Sequence, residues 1–312
     1  MSLSSSSATL PEPARASPNE HETTDHARQL GRGERFRFGE NWRRFLDVLD
    51  DDRIREAERS LRELLAVNDL SGRSFLDVGC GSGLFSLAAR RLGARVRSFD
   101  FDPASVACTA ELRRRYATDD DEWTVEEGSV LDASYVDSLG THDVVYAWGV
   151  LHHTGATWRA LEHVARLVAP GGSLAIAIYN DQGSWSHRWR FIKRVYCSNA
   201  AGRRVVCATC IPAFVVRGLV SDVIGRRNPF ARYTEYRRNR GMLVLHDWID
   251  WLGGYPFEVA KPETIFDHFR ARGFELARLT TVGGTVGCNE FVFARIGTAS
   301  PARGQGADAP IS

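Results

Sequence analysis

The stretch from Arg73 to Asp102, RSFLDVGCGSGLFSLAARRLGARVRSFDFD, constrains the fold more than any other part of the chain. It opens with Phe75, Leu76 and Val78, an apolar run interrupted by Asp77. Gly79, Gly81 and Gly83 follow at alternate positions. Leu84 to Leu92 then carries apolar residues at helical spacing and is ended by Gly93. A second apolar stretch, Ala94 to Phe99, runs into Asp100. Strand, glycine turn, helix, strand and acid make one βαβ unit suited to a nucleoside.

Glycine lets the backbone turn tightly and approach a ligand with no Cβ in the way. A carboxylate at the end of the second strand can accept from both hydroxyls of a ribose. The spacing separates two ligand classes, because a dinucleotide fingerprint needs G-x-G-x-x-G or a terminal Ala. Its last position is Leu84 counted from Gly79 and Ser86 counted from Gly81, and neither fits. A nucleoside without a pyrophosphate is expected.

At these residues the chain resembles the class I S-adenosylmethionine-dependent methyltransferases. Their first motif reads like Leu76-Asp77-Val78-Gly79-Cys80-Gly81-Ser82-Gly83, with the acidic ribose partner where Asp100 stands. The resemblance spans roughly residues 70–180 and 260–296, and the overall pattern also looks like the subgroup labelled quinol-type methylases. It implies an α/β fold, a Rossmann-like, seven-stranded, mostly parallel sheet with helices on both faces. It implies S-adenosyl-L-methionine as cofactor, in contact with Asp77, Gly79, Cys80, Gly81, Asp100 and Phe101, and in-line methyl transfer from its sulfonium.

The remaining strands fill in the site. Trp123 to Asp132 reads as a third strand and a loop, which in the resembling family lies along the adenine. Many members place an acid where Ser129 stands, so Ser129, the Val130 backbone or Asp132 is expected there instead. His142 to Trp148 is apolar and β-rich, as a central parallel strand should be. Its exit places Trp148, Gly149, His152 and His153 at the mouth of the site. His can take a proton near neutral pH. His153 falls where many family members carry a histidine and is as readily a structural ring, which leaves His152 freer to act as base. A helix from Trp158 to Val168, the turn Ala169-Pro170-Gly171-Gly172 and a fifth strand follow, ending in Tyr179, Asn180 and Asp181. Tyr179 is a catalytic candidate and Asn180 a substrate contact. No metal-ligand constellation is evident.

Flanking segments divide the chain further. Residues 1–33, rich in Ser, Pro, Glu and His, read as a disordered tail without a secretory or transit pattern, and residues 297–312 as a second one. Residues 34–70 carry two helical patterns, the first capped by Asn41, and Phe36, Phe38 and Trp42 are candidates for a lid. The core occupies 71–180 and 261–296, closing with two antiparallel strands, Phe274 to Val282 and Cys288 to Arg295. Six cysteines without a framework suit a reducing cytoplasm, and the C-x-x-C of Cys207 and Cys210 reads as packing.

The insertion, 181–260, is what this fold does not require. Net charge is +1, yet 13 basic residues from Arg188 to Arg240 face three acids within residues 181–240. The uninterrupted apolar part of Val205 to Ile224 reads as too short to span a bilayer and holds Pro212 and Arg217. Two uses are expected: a helical cap over the substrate pocket, or a surface resting on an anionic membrane. Either suits a small-molecule substrate with an apolar body and an anionic group. An RNA-modifying enzyme using the basic patch is the alternative, although nucleic acid lacks a recognisable motif here. Asp247, Asp250 and Glu258 are expected to cap helices or pair with arginines. The sequence leaves the oligomeric state open.

Overall fold

A computed structural model describes residues 28–36, 38–47, 49–117, 121–226, 228, 244–283 and 287–297. Most of the expected N-terminal tail and nearly all of the C-terminal one lie outside these residues. The chain runs α1 (Phe38–Leu46), α2 (Asp51–Leu65), β1 (Ser74–Val78), α3 (Leu84–Arg91), β2 (Arg95–Asp100), α4 (Pro103–Tyr116), β3 (Trp123–Glu127), α5 (Ala133–Leu139) and β4 (His142–Trp148). A 3₁₀ turn, Leu151–His153, leads to α6 (Thr157–Arg166) and β5 (Val168–Tyr179). Then come α7 (Ser184–Ser198), α8 (Ala200–Ile224), α9 (Val244–Gly253), α10 (Pro262–Arg270), β6 (Phe274–Thr280) and β7 (Cys288–Arg295).

The sheet order is β3-β2-β1-β4-β5-β7-β6, with β7 antiparallel to both its neighbours and the other pairs parallel. The expected seven-stranded, mostly parallel architecture is the one formed. Alternation along β1 sends Leu76 and Val78 into one buried layer and Phe75 into the other. Strand order reverses between β1 and β4, so a crevice opens beyond their carboxyl ends. The Pro-Gly-Gly turn lies inside β5, where Gly171 sits at φ +76° and pairing with β4 slips between His142 and Val144.

Asn41 lies inside α1 rather than capping it, and the cap comes from elsewhere in the chain. Asp102 Oδ2 accepts from Gly39 N at 2.8 Å, while Asp102 Oδ1 accepts from Ala104 N at 2.9 Å in the first turn of α4. One carboxylate thus caps two helices and fixes α1 beside the end of β2.

The insertion forms its own apolar cluster. Tyr196, Val206 and Leu252 are buried there, with Trp189, Cys207, Cys210, Phe214 and Trp251 packed around them. The C-x-x-C is packing, as expected. The expectation that the apolar stretch is too short is corrected, because α8 continues through Pro212 for 25 residues. At 1.5 Å per residue that is about 37 Å, and by length and composition α8 could cross a membrane.

Candidate active site

The glycine turn folds back on the end of β2. Gly79 N and Cys80 N both donate to Phe99 O, at 2.8 and 3.1 Å, and Gly83 N donates to Cys80 O at 2.8 Å. Gly79 and Gly81 sit at φ +74° and +56°, the left-handed region that side chains disfavour. A Cβ on Gly79 would lie 2.4 Å from Val150 Cγ1, and one on Gly81 3.0 Å from Trp42 Nε1. The turn therefore needs both glycines.

Asp100 closes the turn from below. Its Oδ2 accepts from Gly81 N at 3.0 Å and its Oδ1 from Asp102 N at 2.9 Å. Each carboxylate oxygen has a second lone pair, so two ribose hydroxyls can still donate to it. Burial pushes the carboxyl up to about 6, opposed by the bonds from Asp102 and Gly81. Asp77 is fixed by a chain of donors across the sheet. Trp123 Nε1 donates to Ser98 Oγ at 2.9 Å, Ser98 Oγ to Ser86 Oγ at 2.8 Å, and Ser86 Oγ to Asp77 Oδ2 at 2.5 Å. Burial raises Asp77 to about 7, against the bond from Ser86.

These groups face a cavity of about 1640 Å³, ample for a nucleoside donor and an acceptor together. Asp77, Gly79, Cys80, Gly81, Asp100, Phe101, Ser129, Val130 and Trp148 all line it, as do Phe38, Trp42 and His153. Ser129 Oγ accepts from Leu131 N at 3.2 Å. His163 Nδ1 donates to Val130 O at 2.7 Å and holds this loop from behind. Asp132, one of the alternatives for adenine, caps α5 by accepting from Ser134 N and Tyr135 N.

Three wall residues escaped the sequence reading. Tyr146 stacks on Trp148 with centroids 5.5 Å apart, and its buried hydroxyl has no partner among the described residues. It lines the cavity and so offers a polar atom to a bound molecule. Gly128 leaves room for the Tyr135 ring, which a Cβ would meet at 2.2 Å. Arg35 holds its guanidinium 4.9 Å above the Phe101 ring and donates to His153 O at 3.4 Å. No local motif marks it.

The expected lid residues Phe36, Phe38 and Trp42 all line the cavity from the N-terminal segment. Phe36 N donates to Tyr255 O at 2.9 Å, and Phe36 packs edge-on to Phe38 at 5.0 Å. Trp42 reaches the glycine turn from α1. Trp42→Ala is expected to weaken S-adenosylmethionine binding about tenfold by calorimetric titration, the loss of one large ring contact. Unchanged affinity would remove Trp42 from the lid.

The acceptor side departs from expectation in three places. His152, expected to be the freer base, is 1% exposed and does not line the cavity. Its ring lies 4.0 Å from that of Tyr179, and burial holds it well below its ordinary value. Tyr179 does not line the cavity either; it packs 5.0 Å from Phe257 and 5.5 Å from Trp251. Asn180 ties the end of β5 to the β6–β7 loop, donating to Gly283 O at 2.8 Å and accepting from Asn289 Nδ2 at 3.0 Å. Insertion aromatics thus pack on Tyr179, which in turn packs on His152, while the β6–β7 side of the sheet holds Asn180.

His153 remains. Its Nδ1 is 2.6 Å from Pro256 O, and since a carbonyl only accepts, Nδ1 carries the proton and Nε2 the lone pair. Burial, with Lys193 and Arg35 nearby, drives it down to about 3 despite the Pro256 bond. The expected insertion cap is absent among the described residues, none of which from 181–260 lines the cavity. Glu258 caps α6, accepting from Thr157 N at 3.1 Å and Thr157 Oγ1 at 2.7 Å. The Asp247 and Asp250 side chains lie outside the described residues. The described residues contain no cluster of metal-ligating side chains.

Fold, glycine turn and the half-buried Asp100 at the end of β2 are those of a class I, S-adenosylmethionine-dependent methyltransferase. Residues 49–207, about half of the chain, match the family described as Methyltransferase domain, and the chain belongs to that family. Over 119 residues it is 34% identical to the ubiquinone biosynthesis O-methyltransferase of Escherichia coli O139:H28, covering 37% of this chain and 47% of that protein. The chain spans about half the length of the curated relatives it matches. Among solved structures it is similar to magnesium protoporphyrin IX methyltransferase from Synechocystis PCC 6803 with bound SAH, at 16% identity and a TM-score of 0.46, covering 78% of this chain and 83% of that one. It is also similar to an O-methyltransferase family protein from Burkholderia thailandensis, at 15% identity and a TM-score of 0.48, covering 90% of this chain and 71% of that one.

Proposed function

We propose that the chain methylates a small molecule with an apolar body and an ionised oxygen, using S-adenosylmethionine as donor. The observation that carries this reading is one cavity that joins the glycine turn and Asp100 to a wall bearing Arg35, Phe38, His153 and Arg159. Asp100 would take the ribose hydroxyls, the loop 128–132 and Trp148 the base, and the backbone of the glycine turn the amino-acid end. When bound, the donor supplies a methyl group already activated on its sulfonium, so the protein's main task is alignment.

Magnitudes decide the role of His153. A general base works best with a pKa near the operating pH, and an imidazole held at about 3 cannot store a proton there. His153 therefore offers Nε2 only as a hydrogen-bond acceptor and orients the substrate by taking a bond from a neutral hydroxyl elsewhere on it, while the reacting oxygen arrives already ionised, beside the charge of Arg35. The E. coli relative, named as an O-methyltransferase, supports oxygen as the accepting atom.

The test is transfer of labelled methyl to a panel of acidic phenols, carboxylates, aliphatic alcohols and amines. Only the first two groups should turn over, with a pH profile following the acceptor's own ionisation. His153→Ala should lower kcat by about tenfold to a hundredfold, the range of a positioning hydrogen bond, without moving that profile. Turnover of amines, or an acidic limb that disappears with His153, would overturn the reading.

A further inference from the structure

A long α-helix with an apolar window of membrane length is normally buried in a protein or a membrane. α8 is neither among the described residues: only 6% of its apolar window is buried. One stripe, with Val206, Cys207, Cys210, Ile211 and Phe214, packs into the insertion's own cluster. The opposite stripe holds Val205, Val216, Leu219, Val220 and Val223, at separations of 3, 4, 7 and 11 residues that bring side chains to one helix face. Their exposure, with that of Ile224, runs from 39% for Leu219 to 79% for Ile224.

Charge identifies what suits this face. Arg203, Arg204, Arg217 and Arg226 are exposed on α8 and its end, whereas its one acid, Asp222, is 2% exposed. The exposed surface of the helix is thus apolar with positive charge only. The neighbouring α7 adds Trp185, 57% exposed, with the Arg188 guanidinium 4.8 Å above its ring. Exposed aliphatics on a helix whose exposed charges are arginines, with an exposed amphipathic aromatic on the neighbouring helix, match an anionic lipid surface: headgroups for the guanidinium groups, acyl boundary for the valines.

From this we infer that α8 is a membrane-docking helix that lies in the plane of an anionic bilayer. A spanning orientation conflicts with its neighbours. A single residue, Asn199, joins α8 to α7. The inner stripe of α8 is engaged, Phe214 lying 6.2 Å from Trp189 of α7 and 5.6 Å from Trp248 of α9. α7 is itself fastened to the segment after α9 by Arg190 Nε donating to Phe257 O at 3.0 Å, next to Glu258, whose N donates to His152 O of the core at 3.0 Å, and α7 carries Arg188, Lys193 and Arg194. Crossing would strip α8 from this hairpin or drag charged α7 into hydrocarbon. Docking would bring the catalytic domain to the lipid surface from which an apolar acceptor partitions, but it rests only on the insertion and not on the acceptor's chemistry.

The experiment is cosedimentation of the full chain with phosphatidylcholine vesicles, with and without phosphatidylglycerol. The expected result is at least about tenfold more bound protein on the anionic vesicles, reversed by added salt. The variant Val216→Glu/Val220→Glu/Val223→Glu, at exposed positions, should lose that binding while S-adenosylmethionine affinity and melting temperature stay unchanged. Absence of binding, or equal binding by the variant, would overturn the inference. So would protein released only by detergent, which indicates spanning. A detergent-free dimer that the same substitutions convert to monomer would assign the face to a second copy, and salt-sensitive RNA binding in place of lipid would assign the charge to nucleic acid.

Discussion

Asp100→Ala is expected to weaken S-adenosylmethionine binding at least about a hundredfold in calorimetric titration. Two hydrogen bonds to a charged acceptor at 1.5–3 kcal/mol each amount to about 3 kcal/mol or more, and each 1.4 kcal/mol is tenfold. The variant also removes the acceptor for Gly81 N and Asp102 N, so the glycine turn loosens. NAD should bind neither form. The same carboxylate makes donor affinity depend on pH. With a folded-state value raised from 3.8 to about 6, Asp100 is ionised above that pH and protonated below it. Affinity should therefore be constant above neutrality and decline as pH falls through about 6, and Asp100→Asn should abolish that dependence. The sign for stability is opposite: a carboxyl raised on folding contributes stability that is full below 3.8 and lost as pH rises to about 6. A titration showing affinity highest in acid would exclude Asp100 as the ribose acceptor.

Lys193→Met should stabilise the protein at pH 7 by about 1–3 kcal/mol, measured by urea unfolding. Lys193 is completely buried in α7, its ammonium 4.0 Å from the Trp251 ring centroid and 4.9 Å from that of Phe257. It donates to Trp251 O, and among the described residues no carboxylate pairs with it. Burial lowers it from 10.5 to about 7. That depression corresponds to a penalty on the order of 4 kcal/mol for the charged form, which the carbonyl bond and ring contacts of the wild type partly offset in the comparison with Met. Because the unfolded chain binds the extra proton between about 7 and 10.5, wild-type stability rises with pH across that window. The advantage of Met should shrink by pH 9, where much of the penalty is relieved. An advantage independent of pH would mean that packing rather than charge distinguishes the two side chains.

Legibility followed sequence distance. Asp77, the three glycines and Asp100 lie within one βαβ unit, where each element is dictated by its neighbours: apolar strands, backbone that only glycine adopts easily, and an acid at the strand end. Side-chain direction in the loops was not legible. Adjacent His152 and His153 carry the same chemistry, and the bond that keeps one at the cavity wall comes from Pro256, 103 residues away. Arg35 reaches the site through a bond spanning 118 residues. Asn41 had the character of a cap, but Asp102, distant in sequence, supplies the cap instead.

The sequence by itself determined the sheet, the donor half of the cavity and the family, because backbone conformation and periodicity are local and survive without knowledge of the neighbours. Only the tertiary structure decided that His153 rather than His152 faces the cavity, that among the described residues the N-terminal segment lines it and the basic insertion does not, and that α8 keeps one apolar face outward. Those outcomes depend on which surfaces meet across a hundred residues, and burial there sets both the direction of a side chain and the charge it can hold.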